Sequence, residues 1–358
     1  SVSAGVVAAA NRAAFVDDLA ANIIKNLRLE YSSKTLQEYS GEAVKFYSRL
    51  IYHDVFREHY NAQGFAGLPP GAGGAEAQRE ALCSVAFTLF VPLTWLFFTR
   101  TEDYAFTPEA LASEVDIVVK YEDLEKLVYA RVIATGATVA ADPFTTRPLI
   151  TKAELCHQLI FTEPLEKQQH LGKFEARQGM IYKILDFEVQ LNTSVPAAAG
   201  VYSIKLDNLR LDSHFVMFTI RSSTINTNWA IDKTMSDPTA TILSGGGSVA
   251  ALQALTSFRL LANGQTIVDT VTDIENRSIW RDIYFTGGQL ADFVYFIPFA
   301  WLLREVKNVT GYQNLANLGT LELELTLPVS GTTRIVDVWN ICHNAIQKRK
   351  GDVIKAVR

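Results

Sequence analysis

Cysteine is scarce. Cys83, Cys156 and Cys342 are the three in a chain of 358 residues, and an odd number at wide spacing excludes a disulfide scaffold and points to a reducing compartment. An excess of one charge sign is lacking too. With 33 basic against 38 acidic residues the net charge is −5, so there is no global cationic field of the kind that dominates nucleic-acid affinity, and no direct nucleic-acid partner is expected. Long hydrophobic runs are missing: the most apolar one covers residues 87–98, contains Pro92 and is followed by Arg100. A membrane-spanning helix takes roughly 20 apolar residues, so this run reads as a buried strand. The stretch 1–14 is rich in Ala and Val but has no basic leader before its apolar residues, which makes it a poor secretory signal and an expected loosely held arm.

The signatures of common chemistry are also absent. There is no Gly-x-x-x-x-Gly-Lys-Ser/Thr loop, no Gly-x-Gly-x-x-Gly, no Cys-x-x-Cys and no His-Glu-x-x-His. Ser244-Gly245-Gly246-Gly247-Ser248 is glycine-rich, yet no lysine follows it, and it reads as a flexible loop. His53, Asp54, Glu58 and His59 form the densest group of candidate ligands, but two histidines six apart on a helix point to different sides and cannot share a metal without a bend. Cys156-His157 and Cys342-His343 set a thiol beside an imidazole. Neighbours on a strand face opposite ways, so each reads as a buried cysteine with an exposed histidine and not as a nucleophile with its base. Asn192-Thr193-Ser194, Asn276-Arg277-Ser278 and Asn308-Val309-Thr310 match the glycosylation sequon at a frequency near chance. No catalytic, cofactor-binding or metal-ligating residue is assigned, and no cofactor is expected.

What is present is apolar and aromatic. Hydrophobic residues make up 48% of the chain and Phe, Tyr and Trp number 20, 13 and 5, far too many for a disordered chain, and the length fits two domains or one large one. In Glu114-Val115-Asp116-Ile117-Val118-Val119-Lys120, residues 115, 117 and 119 are apolar while 114, 116 and 120 are charged, the period of a strand wet on one face. Leu321, Leu323, Leu325 and Leu327 repeat it, alternating with Glu322, Glu324 and Thr326. Further strands are expected over 24–31, 127–134, 180–191, 202–211, 215–220, 258–261, 265–269 and 333–338, with Asn263-Gly264 as a tight hairpin turn. Helices are expected over 40–50 and at 108–112. Many strands with few helices indicate an all-β sandwich or barrel class.

The chain also repeats itself. Val91-Pro92-Leu93-Thr94-Trp95-Leu96 returns as Ile297-Pro298-Phe299-Ala300-Trp301-Leu302, an offset of 206. Arg49-Leu50-Ile51-Tyr52 resembles Arg281-Asp282-Ile283-Tyr284 at 232, and Leu27-Arg28-Leu29 resembles Phe258-Arg259-Leu260 at 231. The matches keep their order, which favours a duplicated β-domain. The drop from 232 to 206 leaves the first half with 26 extra residues in the interval holding residues 53–80, where Gly67, Pro69, Pro70, Gly71, Gly73 and Gly74 break any regular element. The second half has its own loop at 232–248.

These residues resemble the double jelly-roll major capsid proteins of icosahedral DNA viruses, over most of the chain. The family's early strand and short helix look like residues 24–50, its apolar strand with a Val-Pro-Leu step like 87–98, and its alternating strand like 114–120. Its closing region is similar to Phe258-Arg259-Leu260-Leu261-Ala262-Asn263-Gly264-Gln265, then Val294-Tyr295-Phe296-Ile297-Pro298-Phe299, then Asn317-Leu318-Gly319-Thr320-Leu321-Glu322-Leu323, with residues 336–346 as the last strand and exit. The chain is shorter than many members from large eukaryotic viruses, which implies short tower loops. The resemblance implies two tandem eight-stranded jelly-roll β-sandwiches: an N-terminal arm at 1–20, a first jelly roll at 21–172, a second at 173–347 and a basic C-terminal tail at 348–358. It implies a virion protein, not an enzyme, assembled inside the host cell, whose partners are itself as a homotrimer, neighbouring capsomers and minor capsid or penton proteins. The basic tail, five basic residues against one acidic from Lys348 to Arg358, is either solvated or in contact with an inner membrane or minor protein. A membrane-shaping scaffold of the same fold, or a carbohydrate-binding sandwich, is the alternative.

Overall fold

Alternating strands dominate the computed structural model of the chain, which describes residues 1–16, 19–51, 79–89, 91, 93, 114–135, 139, 141–155, 163–175, 180–223, 255–285, 294–303, 310–330, 333–349 and 352–356. The first half runs β1 (Val6–Val7), β2 (Asn11–Phe15), α1 (Leu19–Asn22), β3 (Ile24–Tyr31), β4 (Lys34–Tyr39), α2 (Gly41–Ile51), β5 (Val115–Tyr121), α3 (Leu124–Leu127), β6 (Val128–Val132) and β7 (Phe144–Thr146), followed by α4 (Pro164–Glu175). The second half runs β8 (Met180–Val195), β9 (Gly200–Lys205), β10 (Asp212–Ser222), β11 (Ser257–Ala262), β12 (Gln265–Thr272), a π-helical segment (Glu275–Trp280) continuing into α5 (Arg281–Phe285), β13 (Val294–Pro298), β14 (Gln313–Asn314), β15 (Leu321–Leu327), β16 (Arg334–Arg349) and β17 (Asp352–Ala356).

The second half is wound as a jelly roll. One sheet contains the order β8-β16-β10-β13, with β17 and β14 added at the margins, and the other is β9-β15-β11-β12. In chain order the strands pass between the sheets as β8 | β9 | β10 | β11-β12 | β13 | β15 | β16, the double Greek-key path of that fold. Leu321, Leu323, Leu325 and Leu327 of β15 point inward. They meet Val216, Phe218, Ile220, Val336, Val338, Tyr295 and Ile297 from the facing sheet.

Among the described residues, three pairings of the first half match pairings of the second. Leu27 of β3 lies opposite both Tyr39 of β4 and Val119 of β5, and Phe258 of β11 lies opposite both Val271 of β12 and Leu325 of β15. Asn11 opposite Val132, in β2 and β6, matches Phe218 opposite Val338, in β10 and β16. β5 and β15 stand 206 positions apart along their whole length, the offset of the Pro92/Pro298 match. The repeat read from three short matches thus extends to β2, β4, β5 and β6 and their second-half counterparts, which those matches did not include.

The sheet containing β10, β13 and β16 is apolar on both faces. Its other face carries Phe215, Met217, Val294, Phe296, Trp339 and Ile341, which join one continuous cluster with first-half residues including Phe15, Leu29, Tyr39 and Phe46. That double burial explains why residues 215–218 are all apolar and do not alternate with polar residues.

Two expectations are corrected. The N-terminal stretch is not loosely held: β2 pairs with β6, Ala13, Ala14 and Phe15 are buried, and Val2 bridges Phe87 and Ile150. Small apolar residues at 13 and 14 fit between packed layers, which ties the segment down. The basic end is not wholly a solvated tail, since Asp352–Ala356 folds back on β16 from Ala345 to Arg349. In addition, the expected strand at 127–134 begins later, at Val128, after the short helix α3. The helix expected at 108–112, the breaker run 67–74, the loop 232–248 and most of the run 87–98 lie outside the described residues.

Candidate functional site

The joint between the two halves is the most elaborate constellation in the chain. Helix α2 forms because Ser40 accepts a hydrogen bond from the Ala43 amide at its start, at 3.1 Å, a serine N-cap. Its inward residues Ala43, Phe46 and Leu50 recur at helical spacing and are buried. Phe46 reaches across to Trp339 on β16, with ring centroids 5.3 Å apart, and Tyr39 meets Phe187 on β8 edge-to-face at 5.9 Å. Gln37 donates its amide to the Leu185 carbonyl at 3.2 Å.

At the rim of the same joint Arg221 of β10 binds Glu42 of α2 and Asp337 of β16, with its Nε 2.9 Å from Asp337 Oδ2. Burial alone would push the guanidinium down, but the two carboxylates outweigh it and hold Arg221 above its ordinary value. The other Asp337 oxygen accepts the Asn192 amide at 2.7 Å, so the buried charge is fully engaged.

A second polar pair lies nearby in sequence. His214 is buried on β10, its Nε2 3.2 Å from the Leu303 carbonyl and its Nδ1 3.0 Å from Nε2 of His343 on β16. Burial pushes His214 below its ordinary value. His343 is therefore half-buried and paired with another imidazole, where an exposed side chain was expected. Its neighbour Cys342 is buried as expected, its thiol directed at the Asp186 carbonyl at 3.3 Å. Cys83 is buried as well, and burial pushes its thiol up to about 12, which leaves it protonated and poorly nucleophilic at neutral pH.

His53, Asp54, Glu58, His59, Cys156, His157 and Ser244–Ser248 lie outside the described residues, as does Asn308. Among the described residues no group of three His, Cys, Asp or Glu is placed to hold a metal ion. Of the remaining sequons, Asn276 is buried and its amide spans the Phe296 backbone, donating to its carbonyl at 2.7 Å and accepting from its amide at 3.1 Å, so a glycan does not fit there in the folded chain. Asn192 is exposed and adopts a φ of 61°.

The surface carries two further features that sequence reasoning missed. Ile274, Ile279 and Ile283, around the π-helical segment and α5, are 59%, 56% and 59% exposed. Trp301 is 79% exposed, and Leu302 and Tyr312 are exposed as well. Their spacing was visible in the sequence, but which flank of a helix faces out is decided by the packing of Trp280, Tyr284 and Phe285 on Phe296.

No protein-family model matches the chain, and no curated protein matches its sequence. Solved structures do match in shape. A chain of the PBCV-1 virus capsid superposes with a TM-score of 0.68 at 14% identity, covering 100% of this chain and 88% of that one. The Faustovirus major capsid protein gives 0.64 at 13% identity, over 95% and 74%. The mavirus major capsid protein gives 0.51 at 8% identity, over 99% and 82%. This chain therefore has the double jelly-roll fold of major capsid proteins of icosahedral DNA viruses.

Proposed function

We propose that the chain is a structural virion protein, a major capsid protein whose trimers form pseudo-hexagonal capsomers that tile an icosahedral shell. The observation that carries this reading is the strand winding itself. Among the described residues the second half's pairings β11-β12, β11-β15 and β10-β16 recur in the first as β3-β4, β3-β5 and β2-β6, and the halves share an apolar cluster, as a rigid two-part building block requires. Duplication lets three chains present six similar walls, and stiff sandwiches with variable loops suit tiling. Its partners in this reading are itself, neighbouring capsomers and minor capsid or penton proteins, in a particle assembled inside the host cell. The proposed domain division keeps a first unit up to residue 172 and a second at 173–347, with Asn11–Phe15 counted in the first unit because β2 pairs with β6.

Sedimentation velocity and negative-stain microscopy of the purified chain test this. Trimers with a hexagonal outline are the expected result, and a monomer at all concentrations overturns the proposal. Finding the chain in purified mature virions separates a shell protein from a scaffold that is removed during assembly.

A further inference from the structure

The two halves of the chain differ in one respect that matters for assembly: the joint made inside the chain has an unfilled counterpart. Helix α2 of the first half covers Trp339 on the second half's sheet, and both Phe46 and Trp339 are 0% exposed. The strand register gives the counterpart of Trp339. Val338 pairs with Phe218 and Trp339 follows it; Val132 pairs with Asn11 and Ile133 follows it. Ile133 thus holds in the first half the place of Trp339 in the second, and it is 63% exposed.

The counterpart of α2 is open as well. In the second half the helix that follows the β11-β12 hairpin is the π-helical segment continuing into α5. Its own-sheet flank is used: Phe285 packs on Phe215 at 5.8 Å and on Phe296 at 4.9 Å. Its other flank presents Ile274, Ile279 and Ile283, more than half exposed. These are five and four residues apart, one turn of π-helix and then about one turn of α-helix, so successive isoleucines lie close on one side. α5 also abuts α2, so the isoleucine flank continues the joint already formed within the chain.

We infer that this isoleucine flank docks on the Ile133 region of a second copy of the chain, and that this contact is the seam of the trimer. The inference rests on the capsomer reading above. Among the described residues the chain thus has a filled joint, an open helix flank and an open position just past the end of β6 at Ile133, and the two open surfaces are different. Such a head-to-tail contact closes into a ring when the rotation allows it, and six alternating halves close with three chains. The ionic part of the inner joint is not repeated. Where the second half has Arg221 and Asp337, the matching registers of the first half have Ala14 and Arg131, so the seam relies on apolar contact at this point.

The test uses the full chain. Ile279→Asp and Ile133→Asp, each on the surface of one copy, are expected to raise the trimer dissociation constant at least a hundredfold by sedimentation equilibrium, with the far-ultraviolet circular dichroism and the thermal transition of the isolated chain retained. Independently, the double variant Ile133→Cys/Ile279→Cys, oxidised, is expected to run as a covalent trimer on a non-reducing gel, while each single variant stays a single chain. Trimers with unchanged dissociation in both aspartate variants, or no intermolecular cross-link in the double variant, overturn the seam and leave the capsomer reading standing. A wild-type chain that is monomeric at every concentration overturns both.

Discussion

Arg221 shows how much depends on one side chain. It is buried between Glu42 and Asp337, and Asp337 is 0% exposed. Arg221→Ala leaves Asp337 as an uncompensated buried carboxylate, and breaking such a pair typically costs about 3–5 kcal/mol. Urea denaturation is expected to show a loss of that order, whereas Glu42→Gln, at the more exposed end of the pair, is expected to cost far less. A loss below about 1 kcal/mol for Arg221→Ala would place the pair with ordinary surface bridges. His214 supplies a pH dependence. Its folded-state value is lowered by burial, so the unfolded chain binds more protons between the two values and stability falls as the pH drops. The contribution is complete above the ordinary histidine value of 6.5 and is lost progressively below it. Thermal melts from pH 7.5 to 5 should show a declining midpoint, and His214→Gln should flatten that decline.

At the level of elements, close approach decides what a residue tolerates. Gly41 begins α2 where a Cβ would stand 1.9 Å from the Ala21 carbonyl oxygen and 2.3 Å from that of Ile24. Gly41→Ala therefore forces α2 off the α1–β3 corner, an overpacking loss of about 3 kcal/mol by chemical denaturation. Gly172 in α4 has nothing within 4 Å of its Cβ position, so Gly172→Ala is expected to stabilise by up to about 1 kcal/mol through helix propensity. The opposite signs at two helical glycines test whether contact or propensity governs each. The elements legible in the sequence were those with one wet face, such as β5 and β15, and those with strict turn chemistry. Asn263 and Gly264 adopt φ of 50° and 77°, as a tight hairpin demands. β2 and β17 were not legible, because each spans only five residues and neither Asn11-Arg12-Ala13-Ala14-Phe15 nor Asp352-Val353-Ile354-Lys355-Ala356 alternates polar with apolar residues. β8 runs to Val195, past the expected end at 191, because Asn192-Thr193-Ser194 are polar residues that read as a turn and Asn192 adopts a positive φ. Of the candidate site, the burial of Cys342 could be read from strand alternation, but His214 facing His343 depends on two strands 129 residues apart and leaves no local signal.

At the level of the whole molecule, the two halves are not independent domains on a linker. The inner core of the second sandwich is a closed cluster of its own, whereas the first half's core runs without a break into the outer face of the second half's sheet. The second half can therefore keep its core when the first is lost, but the first half loses a wall when the joint opens. In the intact chain this coupling predicts one calorimetric transition, with the calorimetric and van't Hoff enthalpies equal for each released chain. Trp339→Ala removes the largest side chain at the joint, and large-to-small changes of this kind cost about 3–5 kcal/mol. Because Trp339 faces the first half and the inward residues Val336 and Val338 are untouched, the loss should fall on the first half. The single transition is then expected to split, with the later peak retaining the second half's melting. Two peaks in the wild-type chain would mean that the shared cluster does not couple the halves. A single shifted peak in Trp339→Ala would mean that the second half depends on the joint as much as the first.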